Sequence, residues 1–142
     1  KGVIFSLHGD GELQEGQIWE AAIYAAANCV DNYIATIDYN GRQIDGDVEK
    51  VLSLGNLKSK FEAFGWTVLE NENGNEIEEV IATLTLAKSF LGKGKPIVII
   101  MKTEMGMGVD YMMGTHKWHG SAPNDEQLER ALAQLPSSLK DY

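Results

Sequence analysis

The sequence predicts an α/β fold, a parallel sheet with helices on both faces. Short segments that are apolar along their whole length (Val3–Leu7, Tyr33–Tyr39, Trp66–Leu69 and Pro96–Met101) alternate with stretches of helical character. Strands covered on both faces read as continuous apolar runs, and strands alternating with helices make βαβ units. The 142 residues, 44% apolar and 23% charged, suffice for one ordinary core, so a single domain over 1–142 is expected.

Val3–Leu7 reads as a short buried strand ending at glycine. Glu15 to about Asn28 is a helix, favoured by Ala21, Ala22, Ala25, Ala26 and Ala27, with Ile18, Trp19, Ile23 and Tyr24 as its larger apolar residues. Cys29, at the end of this stretch, reads as a small buried thiol. Tyr33–Tyr39 is β-branched and aromatic and stops at the turn pair Asn40-Gly41. Asp47–Leu54 and Leu57–Phe64 read as two short helices separated by Gly55-Asn56, and Trp66–Leu69 as a strand. Ile77, Val80, Ile81, Leu84 and Ala87 recur at helical spacing, which predicts an amphipathic helix over Glu76–Leu91. Pro96–Met101 is the most hydrophobic strand. A long loop, 103–124, leads to a last helix, Asp125–Leu135, with Asn124 as its N-cap.

A formal charge of −9 argues against a nucleic-acid partner or an anionic membrane surface, where phosphate binding needs the opposite sign. No apolar run approaches the roughly 20 residues that span a bilayer, and no signal segment is visible. One cysteine cannot form an internal disulfide, so a reducing, cytoplasmic setting is expected. Lys1 stands where Met would, and a strand begins almost at once, which suggests a fragment of something longer.

Chemistry concentrates at strand ends, where open α/β sheets bind ligands. Gly9-Asp10-Gly11 closes the first strand and Asn40 the second. Each is also an ordinary turn sequence. Together they place a carboxylate and an amide oxygen at the ends of two successive strands, where both can ligate one divalent cation. Magnesium takes six oxygens and commonly shares its shell between one or two side chains and substrate phosphates. Gly9 and Gly11 let backbone approach an anion closely. Glu15 opens the first helix, where a carboxylate interacts favourably with the dipole. His116 and His119 sit three apart in the glycine-flanked run Gly114-Thr115-His116-Lys117-Trp118-His119-Gly120. Imidazole there can donate to phosphate or move a proton near neutral pH. His8, directly before the first glycine, has no assigned role.

The Gly-Asp-Gly triplet followed some thirty residues later by Asn resembles the thiamine-diphosphate motif. Its continuation, Gly9-Asp10-Gly11-Glu12-Leu13-Gln14-Glu15-Gly16, is similar to the form found in transketolases, as are Gln43-Ile44-Asp45-Gly46 and the two-histidine loop. The resemblance runs from about residue 3 to residue 120. It implies a partial diphosphate-binding domain, its later half, with 103–124 as an active-site loop. It implies thiamine diphosphate with Mg2+ or Ca2+ as cofactors. The cation would be held by Asp10, Asn40 and the carbonyl of Arg42, and the cofactor contacted by Gly9, Gly11, Glu15, Ile44 and His119. His119 and His116 would be the catalytic pair, and Glu15 would lie near the partner chain. Met105 replaces a Lys that some relatives aim at the cofactor, and Tyr39 stands where the motif often has Asn. His8 stands where relatives usually carry an apolar residue.

The activity so implied is transfer of a two-carbon ketol unit from a ketose phosphate to an aldose phosphate, as in the pentose phosphate pathway. The implied partners are sugar phosphates and a pyrimidine-domain (C-terminal) subunit or domain, in a homo- or hetero-oligomer. The chain looks like the amino-terminal subunit of a split bacterial transketolase, and alone it is expected to be inactive. Alternatives are a deoxyxylulose-phosphate synthase, a pyruvate dehydrogenase E1 component, or a non-catalytic diphosphate-binding subunit. No Walker A or G-x-G-x-x-G sequence supports a nucleotide.

Overall fold

A computed structural model describes residues 2–135. In chain order the elements are β1 (Ile4–Gly9), a 3-10 turn (Asp10–Gln14), α1 (Gly16–Ala27), β2 (Tyr33–Tyr39), β3 (Arg42–Gln43) and β4 (Gly46–Asp47). There follow α2 (Val48–Leu52), α3 (Leu57–Ala63), β5 (Thr67–Asn71), α4 (Ile77–Lys88) and β6 (Ile97–Lys102). A second 3-10 turn (His116–Trp118) and α5 (Asp125–Gln134) complete them. Four strands form one parallel sheet in the order β1-β2-β6-β5, and β3 and β4 make a small antiparallel hairpin. The expected α/β class is the observed one.

The strand period of two sorts the core into two faces. Val98 and Ile100 of β6 join Ala35 and Ile37 of β2 under α1 and α3, where Ala22, Ala25 and Phe61 meet them. Ile97, Ile99 and Met101 point the other way, with Ile34, onto Ala87 of α4. β6 is central and covered on both sides, which is why it carries the most hydrophobic run. Trp66 pins the first face. Its indole N–H donates to the Ala22 carbonyl at 2.9 Å, and its ring meets Phe61 and Tyr33 edge-on at 5.4 and 5.7 Å.

Two expectations are corrected. The first strand is not buried on both faces: Ile4, Phe5 and Leu7 are 54%, 51% and 72% exposed. β1 lies at the sheet edge, paired with β2 alone among the described residues, and α4 packs over β5 and β6 instead. Cys29 is exposed, not buried, because α1 ends at Ala27 and the chain leaves it through Cys29 at φ +50.

Candidate functional site

β1 and β2 run in register, Gly9 beside Asp38, so Asp10 and Asn40 emerge just past the carboxyl ends of adjacent strands. Asp10 is only 1% exposed. Its Oδ2 accepts the Gly41 N–H at 2.5 Å, which joins the two strand ends directly. Asn40 turns its Oδ1 onto the Arg42 N–H at 2.8 Å, and Gly41 at φ +72 lets the chain swing into β3. The Arg42 guanidinium pairs with Asp47 across the hairpin.

A cavity of about 430 Å3 opens over these strand ends. Gly9, Asp10, Gly11, Glu15, Asn40, Arg42, Ile44 and His119 all line it. These eight positions span more than a hundred residues of sequence. Ile44 is 70% exposed at the cavity wall, so it does not serve as core filling. His116 is not part of the lining; its carbonyl accepts the His119 N–H at 2.9 Å within the second 3-10 turn. His8 hydrogen-bonds Ser6 at 2.8 Å on the β1 strand, away from this wall. Sequence reasoning missed Glu12, Asp38, Gln43 and Asp45, which also line the cavity. The signal for them was adjacency, since each falls inside or beside a motif already singled out.

His119 reaches the cavity because its loop is packed against itself. The Trp118 indole N–H donates to the Tyr111 carbonyl at 2.8 Å with the two rings 5.1 Å apart, and the Tyr111 hydroxyl donates to the Gln127 carbonyl at 2.7 Å. Glu104 holds the Gly114 N–H at 2.7 Å. Gly106, at φ +73, is needed at the crossing: a Cβ there would come within 2.5 Å of Met112 Cβ.

The cavity is rich in carboxylates. Burial pushes the Asp10 carboxyl above the ordinary aspartate range; the N–H groups of Gly41 and Gly11 pull it back, Asp38 adds to the rise and His119 opposes it. Five carboxylates (Asp10, Glu12, Glu15, Asp38 and Asp45) border the cavity, against Arg42 and His119. A divalent cation would offset the repulsion between these carboxylates and a diphosphate. The nearby backbone N–H groups are engaged within the chain, Gly9 on Glu12 Oε2 at 2.7 Å and Gly41 on Asp10. Gly11 fits the same picture, since a Cβ there would stand 3.3 Å from Gln43 Cβ and fill the wall. Among the described residues no three His, Cys, Asp or Glu side chains gather to hold a metal by themselves. A buried carboxylate and an amide oxygen beside an open cavity fit a cation whose shell a diphosphate helps to fill.

A parallel α/β sheet with a cavity over the carboxyl ends of two adjacent strands has its candidate site where open α/β domains bind ligands. The family described as "Transketolase, thiamine diphosphate binding domain" matches residues 1–138, and the chain belongs to it. One of the subunits of the apulose-4-phosphate transketolase of Phocaeicola vulgatus is 41% identical over 136 residues, covering 96% of this chain and 47% of that protein. The transketolase of Staphylococcus epidermidis is 39% identical over 138 residues, 97% of this chain and 19% of its own length. The crystal structure of Campylobacter jejuni transketolase superposes with a TM-score of 0.84 at 38% identity, over 94% of this chain and 20% of that one. Leishmania mexicana transketolase gives 0.85 at 30% identity, over 94% and 19%. This chain thus spans about half the length of the Phocaeicola relative and a fifth of the others.

Proposed function

We propose that this chain anchors the diphosphate end of thiamine diphosphate, through a divalent cation, in a transketolase that moves a two-carbon unit between sugar phosphates. The convergence of Asp10, Asn40 and His119 on one acid-rich cavity carries this reading. Asp10 and Asn40 would hold Mg2+ or Ca2+ together with the carbonyl of Arg42, and Gly9 and Gly11 would leave room for the diphosphate. Ile44 would present an apolar surface to the cofactor. When bound, thiamine diphosphate supplies the carbon nucleophile that the transfer requires. His119 would bind phosphate or substrate oxygen and move a proton there. His116 would act less directly, its carbonyl fixing the turn that presents His119.

Glu15, exposed at the start of α1, is a cavity residue suited to contact with a partner chain. The likeness to a protein named as one part of a multi-subunit transketolase supports an assembly in which a second polypeptide supplies the pyrimidine-binding part. We take the setting to be cytoplasmic and the isolated chain to be inactive. No described helix is long and apolar enough to cross a membrane.

Calorimetric titration with thiamine diphosphate, with and without magnesium, tests the reading. Magnesium-dependent heat in this chain that disappears in Asp10→Ala is the expected result. Equal heat in the variant would overturn the assignment of Asp10. Consumption of a 2-oxo acid by the assembled enzyme would favour a pyruvate dehydrogenase or deoxyxylulose-phosphate synthase chemistry instead.

A further inference from the structure

Arg130 and Gln134 lie one turn apart on α5 and meet the loop that carries His119 at two of its residues, Asp110 and Tyr111. Gln134 grips Asp110 from both ends of its amide. The Asp110 N–H donates to Gln134 Oε1, and Gln134 Nε2 donates to Asp110 Oδ1, both at 2.9 Å. The Arg130 guanidinium pairs with the other carboxylate oxygen of Asp110 and stands 5.3 Å from the centre of the Tyr111 ring. One turn earlier, the backbone carbonyl of Gln127 accepts the Tyr111 hydroxyl.

Tyr111 passes this hold on to Trp118, whose indole N–H it accepts and whose ring it meets edge-on. Trp118 directly precedes His119, and the His119 N–H closes the turn on His116. Contacts therefore run without a gap from α5 to the residue beside the imidazole. Apolar packing contributes less to this docking: Ala131 is buried, but Leu128 and Leu132 are 45% and 60% exposed. A single exposed ion pair adds little stability, so Arg130 matters for what it fixes. A planar guanidinium and a planar amide lock one carboxylate and one ring in a set geometry. A loop as long as 103–124 needs such ties to keep one side chain over a cavity.

We infer that Arg130 and Gln134 are positioning residues for His119. By fixing Asp110 and the Tyr111 ring they set where Trp118 lies, and so where the imidazole stands at the cavity. This rests on the reading above, in which His119 binds phosphate or substrate oxygen. Neither Arg130 nor Gln134 lines the cavity, so their effect on a ligand there passes through His119.

A double-mutant cycle reads this coupling directly. Arg130→Met with Gln134→Leu removes both ties and keeps good helix formers. The pair is made in the wild-type chain and in the His119→Gln background. Magnesium thiamine diphosphate is titrated into all four proteins, and NMR records the His119 ring C–H signals without cofactor in the two that keep the histidine. We expect the paired variant to bind about fivefold more weakly than wild type, and to weaken binding no further in the His119→Gln background. We also expect its His119 ring signals to move toward those of free histidine while those of His8 stay in place. Equal weakening in both backgrounds, wild-type affinity in the paired variant, or unmoved His119 signals would each overturn the inference. Gln134→Glu, which sets a second carboxylate against Asp110, repeats the test should the paired variant not fold. Binding absent from all four proteins would overturn the cofactor reading, and the ring signals would still decide the positioning role.

Discussion

At the scale of single residues, Asp10 carries the most testable electrostatics. Its folded pKa is raised, chiefly by burial, above the ordinary value of 3.8. A raised carboxyl contributes no penalty below the unfolded value, where it is protonated in both states. The penalty enters as pH rises through the folded value, where the buried group must ionise. A bound cation reverses this by favouring the ionised form. Without divalent metal, Asp10→Asn should therefore melt higher than wild type at neutral pH, and the gap should close toward acid. With magnesium, wild type should gain stability at neutral pH and lose that gain as pH falls through the raised value, while Asp10→Asn gains nothing. Thermal melts across pH, with magnesium or a chelator, read both signs; a variant melting below wild type without metal would contradict the account. Gly106 offers a steric counterpart. Alanine there meets Met112 at 2.5 Å and is held at φ +73, so Gly106→Ala should cost about 1–3 kcal/mol by urea unfolding and weaken any ligand that relies on His119. Asp10 and Asn40 were legible in the sequence because strand-end positions can be read from apolar runs. Gln43 was not, since it joins the cavity wall only through the β3–β4 hairpin.

At the scale of elements, the sequence locates α1, β2, α4, β6 and α5 to within a few residues because each has an apolar period or a cap. Asn124 is the clearest case. Its Oδ1 accepts the Gln127 N–H at 2.9 Å and the Gln127 Oε1 accepts the Asn124 N–H at 2.9 Å, a complete capping box. Asn124→Ala should cost about 1 kcal/mol, measured by chemical denaturation, and should loosen the Tyr111 hydroxyl contact to Gln127. Trp66 reads in the sequence as part of a strand; it precedes β5 and instead locks α1 to the sheet through its indole. Trp66→Ala should cost about 3–5 kcal/mol in the same experiment, the range for a buried aromatic. The β3–β4 hairpin and the Asp10–Gln14 turn were not legible. Two-residue strands and a single 3-10 turn have no period, and side-chain bonds to Asp10, Asn40 and Asp47 hold them in place. The elements hardest to read are thus the ones that shape the cavity.

At the scale of the whole molecule, β1 presents two features that favour association. Its outer backbone edge has no strand beside it among the described residues, and Val3, Ile4, Phe5 and Leu7 leave an exposed apolar strip. The net charge of −9 opposes contact between copies, and salt screens that repulsion at close range. Two opposing terms with different salt dependence give a definite sign. Self-association of this chain, followed by sedimentation velocity, should increase with added sodium chloride and with concentration. Leu7 is the point to test, at 72% exposed on the edge strand. Leu7→Lys should suppress association at every salt concentration while changing unfolding stability by no more than about 0.5 kcal/mol, as befits a surface position. It should also lower the fluorescence of a dye that reports exposed apolar surface. Association that falls as salt rises would mean that complementary charges join the copies, with β1 playing no part.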